Sequence, residues 1–297
     1  MTPTPEDPAT FEAMRPRLEG LAYRMLGSLA DAEDAVQDTY VKWRAAQREG
    51  IESPEAWLVA VCTRRCLDLL RRAQRARTDY VGLWLPEPLL GAAPADQEAR
   101  LDLSASLTTA FLLLLERLSP VERAAYLLRE IFDYDYAEIA AMLEKSEPAS
   151  RQIVARAKRR LGGEEVRAEV PAERQELLLT SFLAALESGR PEPLKEVLAE
   201  DVELWGDGGG KVPAGGLQVI KSAERVAGFL AQVWQLHWRA YEIERAAVNG
   251  APGLVLREDG RVVGALSLAA DAQGRLAGLY VVRNPDKLRH IEGGPAA

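Results

Sequence analysis

Residues Ser119 to Leu161 read SPVERAAYLLREIFDYDYAEIAAMLEKSEPASRQIVARAKRRL, and helix start signals cut this stretch into three pieces. Ser119-Pro120-Val121-Glu122 is a capping box. The serine oxygen takes an orphan amide, Glu122 reaches back, and Pro120 fills the first helical position, where no N–H is needed. Asp135-Tyr136-Ala137-Glu138 repeats the logic one element later, with Ile139, Ala140 and Leu143 following on one face. After the turn Glu144-Lys145-Ser146, Ser146 caps a last helix. At 100° per residue that helix places Ala149, Ser150, Ile153, Val154, Ala157 and Leu161 on one side. Arg151, Gln152, Ala155, Lys158 and Arg159 fall on the other. A charged helix face usually does no more than face water. This one carries cations with no anion interleaved, and Gln152 can read a base edge while the cations hold phosphates. It also sits on the second helix of a helix-turn-helix, the helix that such motifs lay in the major groove. The stretch therefore predicts a DNA-binding module.

Upstream, Asp31 to Trp43 predicts a helix with Ala35, Val36, Thr39, Tyr40 and Trp43 inward and Glu33, Asp34, Gln37, Asp38 and Lys42 outward, a mainly acidic outer face. Ser53-Pro54 opens another helix through Trp57, Leu58, Val61, Leu67 and Leu70. Its end is basic, with Arg64, Arg65, Arg71, Arg72, Arg75 and Arg77 against a single Asp68.

An acidic helix beside a basic one, followed by a helix-turn-helix, resembles the bacterial RNA polymerase sigma factors of the extracytoplasmic-function group. The resemblance covers about residues 11 to 162. It implies that the segment Asp31 to Trp43 docks on the polymerase core, through Asp34, Gln37 and Asp38. It implies that the segment Trp57 to Arg72 captures the −10 element, with Trp57, Thr63, Arg64, Arg65, Arg71 and Arg72 as the candidate residues. The helix-turn-helix would read the −35 element through Arg151, Gln152, Ala155, Lys158 and Arg159. Where the family usually has an Arg-Asn pair, this chain has Thr63-Arg64.

Three further motifs narrow the subgroup. They are Trp84-Leu85-Pro86-Glu87-Pro88, Asp207-Gly208-Gly209-Gly210-Lys211 and Asn284-Pro285-Asp286-Lys287-Leu288. Each alone is a plausible turn. The triple glycine lacks the strand-to-helix frame and the closing Lys-Ser/Thr of a phosphate-binding loop. With the sigma modules, the three look like the signature of sigma factors carrying a fused C-terminal SnoaL-like domain. That subgroup implies regulation by the fused domain, through Trp84, Pro86, Asp207 to Lys211 and Asn284 to Lys287, with no separate anti-sigma protein expected.

The expected organisation is multidomain. Residues 1–78 form one all-α module, 79–106 a linker, 107–162 the helix-turn-helix module, and 168–297 an α+β cone. In the last part a helix through Leu177, Phe182 and Leu186 leads to the strand Val202 to Trp205 and a helix near Val219 to Trp234. Strands follow around Trp238–Val248, Gly253–Arg257, Val262–Ala269 and Leu276–Arg283. The turns Asn249-Gly250, Asp259-Gly260 and Gln273-Gly274 join them as an antiparallel meander.

The formal charge of −8 looks wrong for a DNA binder until it is divided. Residues 1–78 carry 12 basic and 12 acidic groups, 79–162 carry 10 and 13, and 163–297 carry 15 and 20. The acidity belongs to the linker and the C-terminal half, so free DNA should bind poorly and the polymerase core should supply the remaining affinity. Cys62 and Cys66 lie four apart on one helix, which suits two small buried residues and neither a disulfide nor a zinc site. No metal or cofactor is expected. The start is polar and acidic, unlike a signal peptide, and the longest apolar run, Ala110 to Leu115, is too short to cross a bilayer. A cytoplasmic protein is expected.

A cone of this kind can enclose a pocket, so the alternative is a domain that binds or transforms a small metabolite. Acid/base chemistry there would need a positioned His or carboxylate. His237, flanked by Trp234 and Trp238, suits a packing role, and Asp207 at a strand end is the best catalytic candidate. Its neighbouring glycines suit close backbone contact equally well, and a docking loop is preferred to an active site. The chain is expected not to be an enzyme.

Overall fold

The computed structural model describes residues 6–47, 50–77, 80–91, 107–162 and 170–291. The chain divides into two compact units: Met1–Asp79 with Leu114–Glu164, and Tyr80–Leu113 with Glu165–Ala297. The described linker residues therefore pack with the C-terminal domain. Residues 79 and 92–106 of the expected linker and 163–169 of the following spacer lie outside the described residues.

The first unit is helical. Its helices are α1 (Glu6–Leu26), α2 (Leu29–Ala45) and α3 (Pro54–Arg77), which pack on one another. The Ser28 hydroxyl caps α2 by accepting from the Asp31 amide at 3.3 Å, and Ser53 caps α3 by accepting from Ala56 at 3.2 Å. The inward face of α2 buries Ala32, Ala35, Val36, Thr39 and Trp43. Tyr40 is only half-buried, against Phe11, with ring centroids 4.8 Å apart. After α4 (Thr109–Leu115) come α5 (Pro120–Glu130), α6 (Tyr136–Leu143) and α7 (Glu147–Arg160). Both capping boxes form, Ser119 with Glu122 and Asp135 with Glu138, and Ser146 accepts from the Ala149 amide at 3.4 Å to start α7. Glu144 closes α6 in the left-handed region at φ 55°, which turns the chain into α7. Helices α5 and α6 pack on α3, and α5 also meets α1, so the two all-α modules share one unit. Buried Arg123 ties them by donating to the Met25 carbonyl at 2.7 Å while pairing with Glu116 at 2.8 Å.

The second unit contains α8 (Ala172–Glu187), α9 (Pro191–Val197), β1 (Leu198–Asp207), β2 (Ile220–Lys221), α10 (Ala223–Leu236), β3 (Glu242–Val248), β4 (Ala251–Glu258), β5 (Arg261–Ala270), β6 (Leu276–Val282) and α11 (Pro285–Leu288). Among the described residues the strands form one sheet in the order β2-β1-β6-β5-β4-β3. Strands β3 to β6 are the antiparallel meander that the turn residues predict. Asn249-Gly250 and Asp259-Gly260 both take positive φ at both residues, the conformation of a type I′ hairpin turn.

Two local expectations are corrected. Trp238–Ala240 is a 3₁₀ turn, so β3 starts only at Glu242. Ile220 and Lys221 pair with β1 as a strand, which delays α10 to Ala223. Strand β1 joins β6 in parallel, a long-range pairing that no turn signals. On α8, Leu177 is 68% exposed, whereas Leu179 and Phe182 are buried.

The alternation of the strands serves two apolar layers. One face of the sheet packs with the helices around Phe182, Leu186, Leu194, Leu230, Leu254 and Leu279. The other carries Val255, Val262, Val282, Leu288 and Ile291, and it is covered by Leu85 of the linker, which is fully buried. Burying that leucine contributes about 1.5–3 kcal/mol. Among the described residues, no helix is long and apolar enough to cross a membrane.

Candidate nucleic-acid interface and linker hub

Helix α7 buries Ser150, Ile153, Val154 and Ala157 and exposes Arg151, Gln152, Ala155, Lys158 and Arg159. All five candidate −35 residues thus share one solvent face. One part of the sequence argument is corrected, because anions do reach this face. Arg151 pairs with Glu147 one turn earlier at 2.5 Å and lies 4.4 Å from the Tyr136 ring centroid, while Lys158 pairs with Glu130 at 2.7 Å. These pairs are exposed or half-exposed, so each contributes little and can be exchanged for a phosphate. The base of the module is firmer. Burial raises the Glu122 carboxyl, but hydrogen bonds from Ser119 and the charges of Arg160 and Arg156 outweigh it and hold the group below its ordinary value.

The −10 candidates on α3 do not form one surface. Arg64, Arg71 and Arg72 are exposed, and Arg65 and Trp57 are half-buried. Thr63 is fully buried with its hydroxyl unpartnered, which corrects its placement among groups that face DNA. Arg64 is paired with Glu144 of the helix-turn-helix at 2.7 Å, Arg65 with Asp38 at 2.6 Å and Arg71 with Asp68 at 2.9 Å. The Trp57 ring meets Trp43 at 5.5 Å between centroids. Of the acidic candidates on α2, Asp34 and Gln37 are exposed, whereas Asp38 is half-buried by its pairing with Arg65.

The three remaining motifs meet in the C-terminal unit. Asp207, with no exposed surface, ends β1 and uses both carboxylate oxygens. Oδ1 accepts from the Tyr80 hydroxyl at 2.6 Å and the Gly209 amide at 3.0 Å. Oδ2 accepts from the Leu85 amide at 2.9 Å and the Lys287 ammonium at 2.7 Å. Lys287, itself buried, also donates to the Leu85 carbonyl, and its Nζ lies 4.3 Å from the Trp84 ring centroid and 5.2 Å from that of Tyr80. The charge is thereby held by a carboxylate, a carbonyl and two aromatic faces. Burial and the bond to Asp207 push the Tyr80 hydroxyl far above the ordinary phenol range, so it stays a donor.

Pro86 is buried and Trp84 half-buried in the same cluster. Asn284 donates to the Tyr80 hydroxyl at 2.9 Å and caps α11 by accepting from Asp286. Lys211 pairs with Asp286 at the surface, while Pro285 is exposed. The triple glycine has a steric cause. A Cβ on Gly208 would meet the Val212 carbonyl oxygen at 1.9 Å, one on Gly209 (φ 61°) Asn284 at 2.3 Å, and one on Gly210 (φ 70°) Val81 of the linker at 2.9 Å.

Sequence reasoning missed Tyr80, whose only signal is proximity to the Trp84 motif, and His290, whose Nε2 lies 2.7 Å from the Pro88 carbonyl oxygen. His237 is exposed at the end of α10, which corrects the packing role expected of it. Cys62 and Cys66 are both buried, and a hydrogen bond with Cys62 together with burial pushes the Cys66 thiol well up. A thiol so placed is unreactive.

Comparison with known proteins agrees with this architecture. Residues 10–76 match the family model for Sigma-70 region 2, and residues 108–161 that for Sigma-70, region 4. The chain is 31% identical over 287 residues to the ECF RNA polymerase sigma factor SigJ of Mycobacterium tuberculosis, covering 93% of this chain and 91% of that protein. It is 29% identical over 291 residues to the probable ECF RNA polymerase sigma factor SigI of the same species, covering 96% and 97%. The crystal structure of SigJ superposes with a TM-score of 0.75 at 30% identity, over 94% of this chain and 97% of that one. These likenesses define a promoter-recognition protein with an appended SnoaL-like α+β domain. The chain belongs to the extracytoplasmic-function family of RNA polymerase sigma factors, and its function is promoter recognition and transcription initiation. The sigma factor RpoE of Bartonella quintana, solved with the anti-sigma factor NepR, also matches, with 26% identity and a TM-score of 0.38 over 51% of this chain.

Proposed function

We propose that this sigma factor reads the −35 element with the outer face of α7 and captures the −10 element with the basic end of α3. The single observation that carries this reading is the joint exposure of Arg151, Gln152, Ala155, Lys158 and Arg159 on the second helix of a capped helix-turn-helix. The cations hold phosphates and set the register, while Gln152 and one arginine reach base edges. In −10 capture Arg64, Arg71 and Arg72 take the outward role, with Trp57, and Arg65 acts from the side through Asp38. Asp34 and Gln37 dock on the polymerase core, an encounter that places the protein in the cytoplasm. The test is transcription by the reconstituted holoenzyme from a −35-dependent promoter. Arg151→Ala, Lys158→Ala and Arg159→Ala together should cost at least about 1–3 kcal/mol of promoter discrimination, roughly tenfold or more in output. Unchanged output from the folded triple variant overturns the assignment.

A second element of the proposal concerns the SnoaL-like domain, which we read as a non-catalytic regulator of promoter engagement. Asp207 is the observation that favours this over a metabolite-transforming site. Its two oxygens are occupied by Tyr80, Gly209, Leu85 and Lys287, which leaves it a structural hub for the linker and not a base aimed at a substrate. The regulation acts through the linker that this domain holds.

A further inference from the structure

The cations on the outer face of α7 are not held alike. Lys158 is a point charge paired with Glu130 at 2.7 Å, a group that suits phosphates. Arg151 lies in the first half of the helix beside Gln152, where recognition helices meet base edges. Its Nη2 donates to Glu147 Oε1 at 2.5 Å, and its guanidinium carbon lies 4.4 Å from the centroid of the Tyr136 ring. Both neighbours stand on fixed backbone. Tyr136 is the first residue of α6, directly after Asp135 of the capping box, and Glu147 is the first residue of α7, directly after the cap Ser146. The half-buried Tyr136 ring is held in turn from α5. The Arg129 guanidinium carbon lies 5.1 Å from the same centroid, and Arg129 is itself fixed by donating to the Tyr134 carbonyl at 2.9 Å.

An exposed arginine otherwise samples many rotamers and gives up that freedom when it binds. Here the ring and the carboxylate restrict it beforehand. Glu147 takes one of the five guanidinium donors and leaves the others for the O6 and N7 acceptors of a guanine. We propose that Tyr136 is a positioning residue for −35 recognition, whose ring holds the Arg151 guanidinium ready for a guanine, so that Arg151 is the arginine that reads a base. This rests on the reading that α7 lies on the −35 element. An arginine paired with guanine discriminates against the other bases by about 5- to 150-fold. An exposed cation–π contact shifts an equilibrium by about two- to fivefold, and that is the share of the discrimination assigned to Tyr136.

The test uses the full-length protein in reconstituted holoenzyme, transcribing from a promoter library in which each −35 position carries all four bases in turn. Arg151→Ala should abolish the preference for guanine at one position and leave the preferences elsewhere. Tyr136→Leu should lower the guanine preference at that same position by about two- to fivefold, while Tyr136→Phe, which keeps the ring face, retains it. A merely structural role would weaken every position together. The proposal is overturned if Tyr136→Leu leaves that preference as in wild type, if it lowers all positions by one factor, or if Tyr136→Phe behaves like Tyr136→Leu. If Tyr136→Leu fails to fold, Arg151→Lys decides. It keeps the charge without the planar guanidinium, so the preference should fall at least twofold, and an unchanged preference overturns the proposal. A uniform loss with Arg151→Ala makes Arg151 a phosphate contact, which overturns the proposal and leaves the parent reading standing. Retained −35 dependence in the α7 triple variant overturns the parent reading itself.

Discussion

Removing the carboxylate of Asp207 while keeping its shape, as Asp207→Asn, should release the linker from the SnoaL-like domain. Two of the four donors around the carboxylate, the Leu85 amide and the Lys287 ammonium, converge on Oδ2, and the Tyr80 hydroxyl and Gly209 amide converge on Oδ1. An asparagine can present only one oxygen. Whichever way it is turned, its NH₂ group confronts two donors, and buried Lys287 loses the carboxylate that pairs with it. Removing one partner of a buried pair costs about 3–5 kcal/mol. For a unit of this size each kcal/mol lowers Tm by roughly 2–4 °C, so a fall of about 6–20 °C is expected. Lys287→Met should cost less, because Asp207 keeps three donors while the methionine fills the space between the Trp84 and Tyr80 rings. The double variant Asp207→Asn/Lys287→Met should recover part of the single-variant loss, since the cation that lost the Asp207 carboxylate is gone. Thermal unfolding followed by circular dichroism gives the stabilities, and hydrogen exchange at the Leu85 amide reports whether the linker has been freed. A loss below about 1 kcal/mol for Asp207→Asn, with Leu85 still protected, would refute the reasoning.

Three other outcomes follow from the same geometry. Gly209→Ala must place a Cβ at φ 61° against Asn284, so it should lower the stability of the C-terminal unit by at least about 1–2 kcal/mol in a thermal melt, whereas Gly228→Ala in α10, with no positive φ and nothing within 4 Å, should not lower it. Glu122→Ala should destabilise the helical unit by about 1–2 kcal/mol at neutral pH, as measured by urea unfolding. Because the folded carboxyl lies below its ordinary value, the stability it adds is present above pH 4.5 and is lost as pH falls through the folded value, so variant and wild type should converge in acid. Asp34→Lys should abolish pull-down of the polymerase core with the fold intact, and it is a cleaner probe than Asp38→Lys, which also breaks the pair with Arg65.

What the sequence determined by itself is local. Ser119 with Glu122, Asp135 with Glu138, and Ser146 each satisfy amides within one turn of themselves, so their helices are written where they form. The two faces of α7 follow from a period of 3.6 residues, and the type I′ turns of the meander follow from residues that tolerate positive φ. The three loop motifs were visible as motifs for the same reason, since proline and glycine announce themselves. Tertiary structure alone decided what these residues touch. Nothing near Asp207 in the chain says that Lys287 and Tyr80 complete its hydrogen bonds, because those partners arrive through the parallel pairing of β1 with β6 and the path of the linker across the sheet. Thr63 and His237 show the same limit in opposite directions, one buried where exposure was expected and the other exposed where packing was expected. Asn249 is the sharpest case. Its sequence neighbours mark only a turn, and its hydrogen bonds to Leu89 and Leu107 arise from the path of the chain beside the β3–β4 hairpin.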